Sequence, residues 1–242
     1  MLEVKKAEKK EKEDKSLQKE ILNKVPALRD NPDRQGFVVK VYLICSVMIG
    51  ITASLCGYVL SDKEMQQFMR TNFWLHYVAI FTGVGIMCSI MCCQNMAKKV
   101  PVNYILLFAF TFVWSYMVAG FVQWFDPAIV LAAAALTFAM FVGLTLFTVC
   151  CNFNLTICWG LGAACSVVVW PMFFMMFIWP SKLLYLFLCG IIVILTSIYI
   201  IIDTKIIMEK LDTDEYIIGA LLLYVDLIQL FMHILALLGN SN

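Results

Sequence analysis

An all-α, polytopic membrane protein with seven transmembrane helices is the fold class this sequence predicts, and three observations predict it. Of 242 residues, 62% are hydrophobic and 14% charged, whereas a soluble domain is roughly 45–50% apolar. The apolar residues fall into seven runs, each close to the roughly 20 residues that cross a bilayer as a helix. The last run carries an acid, Asp226, at its centre. A carboxylate there costs about 2.5–3.5 kcal/mol on insertion scales, so the helix that bears it needs protein around it rather than lipid.

The chain opens on residues 1–35, a tail with ten basic and eight acidic residues and almost no aromatic ones. Such a segment cannot bury a core. Glutamate and lysine four apart, as at Glu8 and Lys12, favour a charged helix, but an isolated helix of this length is marginal. The expectation is a mobile cytosolic tail that touches anionic lipid. No apolar stretch precedes it that would read as a cleaved signal peptide.

Residues 36–242 form the membrane domain. Its spans run from Phe37 to Leu60, Phe73 to Cys93, Val102 to Val122, Ala128 to Cys150, Leu155 to Ile178, Leu183 to Ile202, and Tyr216 to Leu238, with short loops between them. Pro171 inside the fifth removes one backbone bond and should kink it. Past Asp203, residues Ile206, Ile207 and Met208 stay apolar, so the sixth helix is expected to continue beyond that acid. Asp212, three residues before Glu215, reads as a cap for the last helix, and Asp126 before Pro127 as a turn residue.

Orientation follows from the basic residues. With the tail in the cytosol, fifteen of eighteen lie on the cytosolic side, and Lys63, Arg70 and Lys182 on the other. This split favours a cytosolic N-terminus and, with seven spans, a luminal or extracellular C-terminus. Trp74, Trp124 and Trp179 then mark the non-cytosolic interface. The ten cysteines all lie in or beside apolar runs and read as small packing residues. The pairs Cys92, Cys93 and Cys150, Cys151 lack zinc-ligand spacing, while their places near helix ends suit reversible palmitoylation.

On the last helix Gly219, Asp226, Gln229 and His233 are spaced at i−7, i, i+3 and i+7, which sets a polar stripe along one face. At about 1.5 Å per residue Asp226 lies about 15 Å from the helix start, near the bilayer midplane. Asp203 is the nearest candidate partner. Two carboxyl groups in a dry cavity titrate as a unit, so the pair can sense protons. Such a pair can also offer oxygens to Ca²⁺, although it falls short of the six to eight of a tight site. The alternative is structural, with Asp203 bonded at a helix end and Asp226 bonded to a neighbouring hydroxyl or amide. His76 and His233 read as interfacial and packed residues. No zincin motif, phosphate loop or nucleophile set is present, so no enzyme is expected. A net charge of +1 gives no footprint for nucleic acid.

Three stretches carry a family resemblance. Arg34, Gly36, Phe37, Lys40, Val41 and Tyr42 resemble an entry signature, and Thr148 to Thr156 resembles a link between spans four and five. Asp203-Thr204 followed by Glu215 to Leu221 and Leu223 to Phe231 is similar to the C-terminal motif of the transmembrane Bax-inhibitor-motif family, in its Lifeguard-like branch. The resemblance implies six helices around the seventh and a pH-sensitive Ca²⁺ leak channel, or Ca²⁺/H⁺ exchanger, that opposes cell death. The membrane implied is the endoplasmic reticulum or Golgi, with the plasma membrane as the other option. Asp203 and Asp226 would be its proton-sensing pair and its weak Ca²⁺ ligands. Where relatives carry arginines after span two this chain has Ala97, Lys98 and Lys99, so one of these lysines would serve as the latch on the pair, without an arginine's fork. Where relatives carry an acid in the link, here stands Asn154. Gln229, His233, Lys98 and Lys99 are the candidate gate residues. A non-conducting scaffold that acts on cell death through membrane-protein partners is the alternative function. A seven-helix receptor is opposed by the tail's orientation and the short loops, and a retinal protein by the lack of a lysine in the last span.

Overall fold

Apolar runs of this length satisfy their backbone polar groups internally, and helices are the result. The computed structural model describes residues 32–92, 98–151, 155–178 and 181–240. Among them eight helices and no strands occur: α1 Pro32–Ser61, α2 Lys63–Thr71, α3 Trp74–Cys92, α4 Val102–Val122, α5 Pro127–Cys150, α6 Leu155–Ile178, α7 Lys182–Glu209 and α8 Tyr216–Asn240. All but α2 are long and apolar enough to span a membrane. Most of the charged tail, together with Cys93, Ala97, Asn154 and Trp179, lies outside the described residues.

The expected bounds of α4 and α6 coincide with the observed ones, because their hydropathy falls off sharply at both ends. α1 starts earlier than expected, at Pro32. Proline suits a first helical turn, and Asp33 beside it favours the helix dipole. Arg34 and Gln35 therefore belong to the first span and not to the tail. α7 does continue past Asp203, as far as Glu209. Pro171 lies within α6.

The short helix α2 is an addition to the seven. The Asp62 carboxylate accepts from the N–H groups of Glu64, at 2.9 Å, and Met65, at 3.4 Å, and so caps it. The Tyr58 hydroxyl donates to the other Asp62 oxygen at 3.0 Å. That bond first, and then the two N–H groups, hold the Asp62 carboxyl below the usual carboxylate range. Asp126 is likewise more than a turn residue. It caps α5 by accepting from the Ala128 N–H at 3.0 Å, with Pro127 at the first helical position.

α8 is the axis of the bundle. Its spanning segment is 67% buried, against 6% for α6. It packs against α7, α1, α5 and α4, while α3 leans on α4 and α6 on α7. The expected ring of six is thus mainly an inner shell of four with two outer helices. Gly219 lets α1 and α7 close on α8, since a Cβ there would stand 3.3 Å from side-chain carbons of Val41 on α1, Ile207 on α7 and Leu211.

Arg34 closes one end of the bundle. Its guanidinium donates to the carbonyls of Met208 at 2.9 Å, Ile207 at 3.0 Å and Leu211, and so ties α1 to the C-terminus of α7. These are carbonyls that a helix end leaves unpaired, and a cation complements the dipole there. Arg34→Ala is expected to lower stability by at least about 1.5 kcal/mol, the lower end for hydrogen bonds to a charged donor. Arg34→Lys should recover only part of it, because lysine lacks the fork. Thermal unfolding in detergent reads this, and an unchanged midpoint for the alanine variant would rule the role out.

Candidate functional site

Hydroxyl-bearing residues in apolar helices commonly bond back to the carbonyl four residues earlier, and this chain follows that habit. Ser46, Thr111, Thr137, Thr148 and Thr196 each donate in this way at 2.7–2.8 Å. Where helices must be joined, hydroxyls join them. The Thr52 hydroxyl on α1 lies 2.8 Å from both Ser115 on α4 and Tyr224 on α8, and all three residues are buried.

The acids sit beside this frame. Asp226 on α8 is buried, at 8% exposure, and Asp203 on α7 is half-buried. The two carboxyl groups lie within hydrogen-bonding reach of each other. A hydrogen bond between two carboxyls would need one proton between them. The Asp226 Oδ2 atom is buried and has no hydrogen-bond partner. Cys45 on α1 lies within electrostatic range of Asp226. Two of the stripe residues join the site's helix face only in part. Gly219 is buried with Asp226, but Gln229 is exposed and His233 half-buried. Three residues set Gln229 about 60° round the helix from Asp226, at the edge of the buried face, and it is exposed there. The His233 Nδ1 atom lies 2.7 Å from the Gln229 carbonyl, a local contact one turn back.

The lysines stand elsewhere. Lys98 forms an ion pair with Glu215 at 3.2 Å, at the rim beside the start of α8, and Lys99 is exposed. The reason is electrostatic economy: a lysine at a helix end reaches a half-exposed glutamate without being stripped of water, whereas reaching the buried pair would desolvate it. Glu215 also accepts from the Asp212 N–H at 3.4 Å. It stands directly before α8 and its carbonyl accepts from Gly219, so the residue at the cap position is Glu215 rather than Asp212. Lys40 lies over the Tyr216 ring at 3.3 Å, and the Asn103 amide donates to the Tyr216 hydroxyl at 3.3 Å.

At the opposite end of the bundle, His76 is buried, with both ring nitrogens unpartnered. It packs against Tyr116 and closely against Gly120. Trp74 and Trp124 are exposed there, each at 61%, and Arg70 lies over the Trp124 ring at 4.5 Å. Cys92, Cys150 and Cys151 are exposed near helix ends, while Cys45, Cys56 and Cys189 are buried. Among the described residues no set of three or more His, Cys, Asp or Glu side chains gathers as a metal cluster.

A rim ion pair between residues with side chains 37% and 17% exposed contributes about 1 kcal/mol or less. Lys98→Met should therefore shift stability by no more than that and leave the titration of the acid pair unchanged. Carboxyl infrared bands followed against pH test this, since a latch on the pair would move their midpoint.

Comparison with known proteins agrees with this architecture. The model of the family described as "Inhibitor of apoptosis-promoting Bax1" matches residues 34–242. The chain is 32% identical over 212 residues to mouse "Protein lifeguard 4", covering 86% of this chain and 87% of that one. It is 26% identical over 225 residues to human "Protein lifeguard 3", covering 88% and 71%. It is also 29% identical over 213 residues to the "Golgi anti-apoptotic protein" of vaccinia virus (strain Lister), covering 86% and 87%. With nearly all of its membrane domain matched, this multi-pass chain belongs to the Bax-inhibitor family.

Proposed function

We propose that this protein opposes cell death from an intracellular membrane, the Golgi or endoplasmic reticulum, as a pH-sensitive Ca²⁺ leak channel or Ca²⁺/H⁺ exchanger. The observation that carries the reading is the meeting of Asp203 and Asp226 within hydrogen-bonding reach, on two adjacent spanning helices. Its cell-death role is supported by the family's description and by the viral relative's name, which also points to the Golgi. No catalytic step is assigned to the chain.

The mechanism follows from the pair's two occupants. With one proton between them, the carboxyls form a hydrogen-bonded unit of single negative charge or less. Without it, two like charges repel in a medium of low dielectric constant, and a divalent cation is the counter-charge that relieves them. Proton and Ca²⁺ thus compete for the same oxygens. The pair supplies at most four of the six to eight oxygens that Ca²⁺ prefers, which suits passage rather than retention. The excess of basic residues on one side favours a cytosolic N-terminus.

Asp226→Asn removes one titrating member while keeping side-chain size. In proteoliposomes loaded with a Ca²⁺ indicator, it is expected to abolish the pH dependence of Ca²⁺ flux. Flux that responds to pH as in the wild type would refute the mechanism.

A further inference from the structure

Two helices that pack on a common neighbour need not close on each other. α1 and α5 both pack on α8. They meet through the rings of Tyr42 and Phe141, whose centroids stand 6.2 Å apart. Beyond that contact, toward the end of the bundle opposite Arg34, they part around a groove of about 620 Å³, within the roughly 300–1,000 Å³ of a ligand pocket. Its walls run from Ser46 to Leu60 on α1 and from Phe138 back to Pro127 on α5, and Leu227, Ile228 and Phe231 of α8 form its floor. Gly57 on the α1 wall stands beside open space, since a Cβ there would meet no neighbouring group within 4 Å.

The lining, the width and the length of the groove define what fits it. Every side-chain hydroxyl that lines it is already bonded within the protein: Ser46 donates to the Tyr42 carbonyl and Thr137 to the Ala133 carbonyl, each at 2.7 Å, and Thr52 lies 2.8 Å from both Ser115 and Tyr224. Water would find no partner there, so the occupant is apolar. On the floor, Leu227 and Ile228 are only 9% and 4% exposed, a slot that a helix about 10–12 Å across does not enter. A single hydrocarbon chain does. From Pro127 to Phe138 the groove follows α5 for about 16 Å, and half of a bilayer's hydrocarbon core is about 15 Å. Leu131 and Phe138 on its rim are exposed on a spanning helix, so the groove is continuous with the surface that the bundle turns to lipid.

We propose that this groove is a binding site for one acyl chain of a bilayer phospholipid, taken from the leaflet opposite the Arg34 end and laid between α1 and α5 against α8. The chain supplies the dispersion contacts that an empty slot would forfeit. It brings lipid to a helix that is otherwise enclosed, with 67% of its spanning segment buried. Leu227, Ile228 and Phe231 stand about 100–200° round α8 from Asp226, so the acid keeps its protein surroundings while the far face of its helix meets the chain.

Photolabelling of the full-length protein tests it. The protein is reconstituted in phosphatidylcholine vesicles that contain a phosphatidylcholine with a diazirine on its acyl chain, and the labelled residues are located by mass spectrometry. Lipid that merely surrounds the bundle marks its outer faces, such as α6, whereas a chain in the groove also marks Leu227 or Ile228. Label on these two residues is expected in the wild type. Gly57→Phe and Ala134→Phe each fill the groove and are expected to lose that label while α6 keeps its own. Thermal unfolding identifies the folded variants, and where neither folds the wild-type pattern decides. A wild type without label at Leu227 and Ile228 overturns the site, as does undiminished label there in either folded variant. Loss of the α8 label on adding free fatty acid would assign the groove to that ligand, and a disulfide mapped between two copies of Ala53→Cys, with α8 unlabelled, would assign it to a second copy. Either result overturns the proposal.

Discussion

A carboxylate in the middle of α8 is the constraint on which the rest of this structure depends. Lipid cannot solvate it, so the helix must be enclosed, and α1, α4, α5 and α7 enclose it. The neighbour that acts on Asp226 from α7 is itself an acid, Asp203. The same enclosure accounts for the small residue at the crowded point, Gly219, and for the outer placement of α3 and α6, which have no part in covering the acid. Apolar burial cannot drive helices together in a bilayer. Close approach and polar contacts must do so.

Those polar contacts are of two kinds. Most hydroxyls are satisfied within their own helix, by the carbonyl four residues back, and need nothing from their neighbours. A few join helices, as in the Ser115, Thr52 and Tyr224 chain, where the Thr52 oxygen meets both of the others.

Much of the fold was legible in the sequence because hydropathy over twenty residues is a local property. The bounds of α4 and α6 required no tertiary information, and the depth of Asp226 required only counting along a helix. The early start of α1 was not legible by hydropathy, because Pro32 to Gln35 are polar and are held in the helix by what Arg34 does 173 to 177 residues away. The short helix α2 was missed for a related reason. It is polar and does not span, although Asp62 with Glu64 after it was a readable capping signal. The partner of Lys98 could not be read either. Sequence order does not say which acid it reaches. Gln229 shows the limit of helical spacing itself: an offset of three places a residue near a face, and here the difference was enough to turn it outward.

Charge at the end of the bundle where α1 begins completes the argument. Arg34 is engaged by three carbonyls, Lys40 by an aromatic ring, Lys98 by Glu215, and Lys205 by Glu209 at 3.8 Å. Arg34, Lys40 and Lys98 are held by these contacts at or near the rim, and Lys205, itself buried, pairs with Glu209 one turn on. A fixed cation inserted between Asp203 and Asp226 would neutralise the pair permanently and remove its capacity to exchange one counter-charge for another. On the proposed reading, cations held in these contacts leave the pair to charges that move, the proton and the hydrated divalent ion. On this view the departure from an arginine latch does not disable the site; it moves the closing contact outward, from the acids to the helix end that Arg34 caps.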